Sequence, residues 1–184
     1  TTEDQQDWSA NKFYSEASQK LTEGNFSGAV KLYETLESRY PYGRIAQQAQ
    51  LETAYAHYKN DEQASAIAAA DRFIKMHPHH PNVDYAYYIK GLASFNDNWG
   101  LMGFLMKGPL QQDMSERDSK MSKESFENFK ELVTRFPDSK YAADSRLRMA
   151  YLINSIAMND IHAARYYMKR KAYIAAANRA QDVV

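Results

Sequence analysis

Apolar residues recur along this chain every three or four positions, and the strict alternation of a half-buried strand is hard to find. That period puts them on one face of a helix. Tyr85, Tyr88, Leu92 and Phe95 keep the spacing, as do Ala29, Tyr33 and Leu36. Prolines punctuate the pattern. Pro41, Pro78 and Pro137 follow Arg39-Tyr40, Met76-His77 and Arg135-Phe136, each at the end of an amphipathic stretch. Proline cannot continue a helix, and it biases the residue before it away from helical angles. The expectation is an all-α chain with helices over residues 11–23, 44–59, 84–96, 139–158 and 160–169. A further helix starts near Tyr173, and one ends before each of the three prolines.

Counting back from each proline exposes a repeat. Ala29, Tyr33 and Leu36 precede Pro41 at offsets −12, −8 and −5. Ala66, Ala70 and Phe73 hold the same offsets before Pro78, and Ser125, Phe129 and Leu132 before Pro137. A small residue at −12 lets two helices approach, and the larger residues fill the space between them. This is the signature of the second helix of a tetratricopeptide repeat. Pro41 and Pro78 lie 37 residues apart, near the roughly 34 of that repeat. Such units stack because none buries its apolar face alone. The fold class predicted is therefore an all-α tetratricopeptide-type superhelical solenoid, a single domain over 1–184. Its repeats cover about 11–41, 44–78, 84–137 and an incomplete 139–184, the last expected to lack a cap.

Pro78 and Pro137 are 59 residues apart, so the third repeat carries an insert of 22 residues, placed at 96–118. Its first part, from Gly100 to Pro109, is apolar and Gly-rich, and its second, Ser115 to Asp118, is charged. A long loop of this kind in a compact array is often functional. It would either contact a partner or membrane surface, or fold back onto its own solenoid.

Composition narrows the function. Lys plus Arg and Asp plus Glu both number 23, so net charge is zero and the basic excess of a nucleic-acid binder is missing. The chain has no Cys, which rules out disulfides, thiolate metal sites and thiol nucleophiles. No apolar run is long enough to span a membrane. No phosphate-binding loop, His-Glu-x-x-His or nucleophile-elbow pattern occurs. Neither enzymatic activity nor a cofactor is expected. His77, His79 and His80 suggest a metal, but Pro78 and Pro81 stiffen that segment. A rigid turn between repeats explains it better than a zinc site, which needs four supported ligands.

The 14 Tyr change the picture most. Tyr has an apolar body and a polar tip, so it suits half-buried grooves and interfaces. In a tetratricopeptide array the first helix of each repeat lines the concave groove. On that frame the groove residues are Tyr14, Ser18, Leu51, Glu52, Tyr55, Tyr58, Lys59, Tyr85, Tyr88, Ile89 and Leu92, with Arg44 at the start of the second repeat. These aromatics would hold an extended peptide or short helix, or else only pack repeat against repeat.

Several segments carry a more specific resemblance. Leu36-Glu37-Ser38-Arg39-Tyr40-Pro41-Tyr42-Gly43 followed by Gln47 to Leu51, and His80-Pro81-Asn82-Val83-Asp84-Tyr85 followed by Ala86-Tyr87-Tyr88 and Gly91-Leu92, resemble the BamD (ComL, YfiO) family. Arg165-Tyr166-Tyr167 with Tyr173 and Asn178-Arg179 resembles the start of that family's fourth repeat. The resemblance implies a lipoprotein of Gram-negative bacteria, at the periplasmic face of the outer membrane. It implies partnership with the barrel protein BamA and other lipoproteins of the machine that folds outer-membrane β-barrels. The N-terminal repeats would receive C-terminal segments of unfolded barrel substrates, and the C-terminal repeats would dock on BamA. The acylated Cys of such an anchor is absent here, and the match stops inside the fourth of five repeats. BamA docking is therefore in question, while the substrate groove is expected to be present. Two other readings keep the same fold: a scaffold that joins subunits without touching substrate, and an envelope adaptor with different partners.

Overall fold

The computed structural model describes residues 7–95 and 110–181, the side chains of 110–119 and 159 excepted. Among these residues lie eight helices and no strand. They are α1 (Ala10–Thr22), α2 (Phe26–Arg39), α3 (Arg44–Lys59), α4 (Gln63–Met76), α5 (Val83–Ser94), α6 (Leu110–Arg135), α7 (Ala142–Lys169) and α8 (Tyr173–Gln181). The chain divides into two compact units, one ending at Ser94 and the other beginning at Phe95.

In the first unit α1 pairs with α2 and α3 with α4, and α2 and α4 each pack on the helix that follows. The first helices of successive pairs also touch, α1 with α3 and α3 with α5, so they form a row. In the second unit α6 packs on α7 and α7 on α8. All nine residues of the proline-anchored frame are buried to 1% exposure or less. Phe13, Ala17, Ala29, Leu32, Tyr33, Leu36, Ala46 and Ala49 form one core cluster. Leu51, Ala54, Ala70, Phe73, Ala86 and Ile89 form the next. The alanines let the helices approach, and burial of each large side chain between them is worth about 1.5–3 kcal/mol.

Helix ends repeat as faithfully as cores. Before each proline the backbone N–H of the last residue donates to the residue at offset −5: Tyr40 to Leu36 O (2.7 Å), His77 to Phe73 O (2.8 Å), Phe136 to Leu132 O (2.8 Å). The turn inside the pair recurs too. Asn25 N–H reaches Lys20 O (2.8 Å), Glu62 N–H reaches His57 O (3.0 Å) and Ala172 N–H reaches Tyr167 O (3.0 Å). Each closes around a left-handed residue, Gly24 (φ 78°), Asp61 (φ 64°) or Lys171 (φ 61°). This is the Schellman C-cap. Its recurrence between α7 and α8 marks that pair as another unit of the same kind. Asn25 then caps α2, its Oδ1 accepting from Gly28 N–H at 3.0 Å.

Two expectations are corrected. Residues 110–118, read as part of a loop, belong to the first turns of α6; residues 96–109 lie outside those described. The helices expected over 139–158 and 160–169 are one, α7. Nothing near Met158 and Asp160 interrupts a helix: no Pro or Gly is present, and the side-chain polarity of Asn and Asp costs only about 0.7 kcal/mol per residue. Asp160 pairs instead with Arg179 of α8 (3.6 Å).

Candidate peptide-binding face

The row α1, α3 and α5 carries most of the residues expected in a groove. Tyr14 and Ser18 stand one turn apart on α1; Glu52, Tyr55 and Tyr58 lie on α3; Tyr85, Tyr88 and Leu92 lie on α5. All are half-buried. Tyr55, Tyr58 and Tyr85 pack against the second core cluster while keeping part of their surface in solvent. Tyr14 packs on the first, its ring 5.8 Å from that of Tyr33.

Leu51 and Ile89 are corrections. Both are completely buried in the second cluster and present nothing to a ligand. Leu51 directs its side chain toward α4 and α5 because adjacent residues on a helix point about 100° apart; its neighbour Glu52 takes the open face. Arg44 and Lys59 are exposed, but they sit at the two ends of α3. The helix rise separates their backbones by about 22 Å, so one carboxylate cannot meet both.

A polar cluster lies where α1, α2 and α3 meet. Gln48 donates its Nε2–H to Glu52 Oε1 at 2.9 Å. Burial, and no cation, dominates the surroundings of Glu52 and holds its carboxyl above the ordinary value. Tyr14 is also raised, first by burial and then by the Glu52 charge. Tyr33 is raised strongly for the same two reasons, in the same order. Ser18 lies near enough to oppose that rise, yet the Tyr33 hydroxyl closes no hydrogen bond of good geometry. Thus the Glu52 charge acts on both Tyr14 and Tyr33, and Ser18 lies near Tyr33. Tyr33 and Gln48 enter unforeseen. The signal for Gln48 was its i,i+4 spacing to Glu52; Tyr33 was read as interhelical filling, which describes its ring but not its hydroxyl.

The His77–His80 segment is a packed turn. The His77 and His80 rings lie 5.1 Å from that of Phe73. His77 Nε2 meets Gln50 Oε1 at 3.0 Å, and His80 Nδ1 accepts from Asn82 N–H at 3.1 Å. Gln50 in turn donates to Glu37 at 3.0 Å, and Glu37 pairs with Arg72. The imidazoles thus belong to a network that ties α2, α3 and α4 to the turn.

In the second unit, α7 and α8 enclose a groove of about 960 Å³ lined by Ile161, Arg165, Tyr166, Met168 and Tyr173 among others. Elsewhere on α7 and α8 apolar side chains are exposed, including Leu147, Ile153, Met158 and Ile174, the last at 81%.

Stacked helix pairs with a small-residue frame, proline stops and repeated Schellman turns define an all-α protein of tetratricopeptide type. The chain belongs to the family described as YfiO, outer membrane lipoprotein, whose sequence model matches residues 6–184. It is similar to the outer membrane protein assembly factor BamD of Neisseria meningitidis serogroup B, 54% identical over 97% of this chain and 66% of that protein. The protein of the same name from Vibrio cholerae is 38% identical over 94% of this chain and 70% of its own length. The chain thus spans just under two thirds of the Neisseria relative.

Proposed function

We propose that the chain is a non-catalytic recognition component of outer-membrane β-barrel assembly, and that the α1–α3–α5 row receives the C-terminal segment of an unfolded barrel protein. The observation that carries this reading is the set of half-buried tyrosines, Tyr14, Tyr55, Tyr58, Tyr85 and Tyr88, on α1, α3 and α5, the first helices of successive pairs, which touch in a row. An extended segment with alternating apolar side chains and a terminal aromatic would lay its apolar edge on the rings and its backbone against the hydroxyls. Arg44 or Lys59 would take the terminal carboxylate by a charge-assisted hydrogen bond. Their placement at opposite ends of α3 makes the choice between them a choice of peptide direction.

The names of the relatives support the assembly role. Attachment to the outer membrane through an N-terminal lipid, at its periplasmic face, belongs to the same reading. The test is fluorescence anisotropy with a labelled barrel C-terminal peptide and a version lacking its last aromatic. Saturable binding that needs the aromatic, and falls at least about tenfold in the folded Tyr55→Ala, Tyr88→Ala variant, is expected. Unchanged binding by that variant would refute it.

The exposed apolar side chains of α7 and α8 favour a second role alongside the first, docking onto a BamA-type barrel protein or other lipoproteins of the machine. Contiguous exposed apolar surface marks interaction sites more than isolated residues do. A scaffold that never touches substrate would keep this face and leave the tyrosine row without a ligand.

A further inference from the structure

The turn between α4 and α5 holds two imidazoles whose hydrogen bonds give them opposite roles. Gln50, buried on α3, donates its amide N–H to Glu37 Oε1 at 3.0 Å, so its own Oε1 is an acceptor. His77 Nε2, 3.0 Å from that oxygen, is therefore the donor. A second proton on His77 goes to Nδ1 and leaves this bond intact. His80 is the reverse. Its Nδ1 accepts the backbone N–H of Asn82 at 3.1 Å. A protonated imidazole carries N–H on both nitrogens and accepts nothing, so this bond exists only while His80 is neutral. Asn82 immediately precedes α5, and the same turn closes through Val83 N–H to His80 O (3.0 Å) and Tyr85 N–H to Asn82 O (3.2 Å).

We propose that His80 is an acid-sensitive latch on the start of α5: proton uptake at Nδ1 expels the Asn82 N–H and loosens the first turn of the helix. The surroundings oppose a charged ring. The Phe73 ring lies 5.1 Å from it and the His77 ring 6.4 Å. Burial first, and then the charges of His77 and of Arg44 on α3, hold the imidazole below its ordinary value. From α5 the first-turn acid is Asp84, whose Oδ1 accepts the Tyr85 N–H at 2.8 Å. Glu37 of α2 and Arg72 of α4 pair with each other beyond Gln50, and His79 is exposed. A cation just before a helix N-terminus also opposes the helix dipole. The neutral ring therefore supports the fold above the ordinary histidine value of about 6.5, and that support is lost as pH falls from there through the lowered value. Because α5 carries Tyr85 and Tyr88, the same step reaches the α1–α3–α5 row; that consequence alone rests on the peptide-binding reading above.

The test follows the 184-residue chain by NMR from about pH 8 to about pH 5. At the upper end the His80 ring should carry its proton on Nε2 and leave Nδ1 bare. As the ring charges, with a midpoint below about 6.5, protection of the Asn82 amide against hydrogen exchange should fall about tenfold or more. Amides in the middle of α3 should keep theirs. His80→Asn retains an acceptor, because its Oδ1 takes the place of Nδ1 and bonds the N–H two residues on, but it does not titrate. In that variant Asn82 protection should stay level across the range. The tautomer and the exchange are read on the unaltered protein, so they decide the matter even if the variant folds poorly. A proton on Nδ1 at the upper end, or level Asn82 protection while His80 charges, would overturn the latch. So would an acid-induced loss that persists in folded His80→Asn. Affinity for a labelled barrel C-terminal peptide should fall along the same titration; failure of the peptide to bind at any pH would remove the peptide-binding reading and leave the latch standing.

Discussion

At the scale of the residue, two positions hold states that cost stability. Lys171 is left-handed at φ 61°, where Gly24 performs the same turn between α1 and α2. A side chain in that region costs about 1–2 kcal/mol, partly offset by the greater freedom glycine loses on folding. Lys171→Gly should therefore stabilise the second unit by about 0.5–1 kcal/mol, seen as a higher thermal midpoint by circular dichroism; a lower midpoint would mean the lysine makes contacts that outweigh its strain. Glu52 is the second. Burial raises its carboxyl, so the folded protein holds this proton more tightly than the unfolded chain does. The group favours folding while protonated and opposes it as pH climbs from the ordinary carboxylate value through the raised one. Glu52→Gln should accordingly gain on wild type between about pH 4 and pH 7, measured as urea midpoints. An equal difference at both pH values would remove burial as the cause. A residue that weakens the fold at neutral pH is what a binding site tolerates and a scaffold does not need.

Elements are held by the frame counted from the prolines. Phe73 is fully buried at the centre of the second cluster and touches the His77 and His80 rings. Phe73→Ala should cost about 3–5 kcal/mol, read by urea denaturation, and should loosen the turn after α4 as well as the α3–α4 pair. Leu51→Ala tests the revised role of that residue. As a core side chain it should cost about 2–5 kcal/mol. A ligand-facing leucine would leave stability nearly unchanged. The helix pairs were legible in advance because small and large residues recur at fixed offsets before each proline. Their exact faces were not. One position along a helix turns the side chain by about 100°, which exchanged Leu51, expected in the groove, for the depth of the core. The same limit explains α7: periodicity alone does not place a break, and without proline or glycine the helix ran on past Asp160.

At the scale of the molecule, the two faces call for different ligands. The α1–α3–α5 row is polar-tipped and carries the half-buried carboxyl of Glu52, with Arg44 and Lys59 at the two ends of α3. The α7–α8 face is open and apolar. If the carboxylate of a bound peptide sits at one end of α3, then either Arg44→Gln or Lys59→Gln, but not both, should weaken a free-acid peptide by about tenfold while sparing its C-terminal amide. Equal, small effects from both would place the carboxylate elsewhere. Ile174→Glu on the second face should leave the peptide isotherm and the melting midpoint unchanged, since Ile174 is 81% exposed. Under the docking role it should still abolish capture of a BamA-type partner in a pull-down.

The sequence by itself determined the fold class, the helix pairs of the first unit and the nine buried anchors, because helical period and proline stops are local properties written into neighbouring residues. It also marked the tyrosines as the chemistry to watch. Only the tertiary structure decided that Leu51 and Ile89 turn inward, and that Tyr33, with its buried hydroxyl, feels the charge of Glu52. Those facts depend on residues 19 and more positions apart meeting across three helices. A pattern along one helix fixes which side is apolar. It does not fix the rotation of that helix against its neighbours, and that rotation is what brings a half-buried carboxyl within electrostatic reach of two tyrosines.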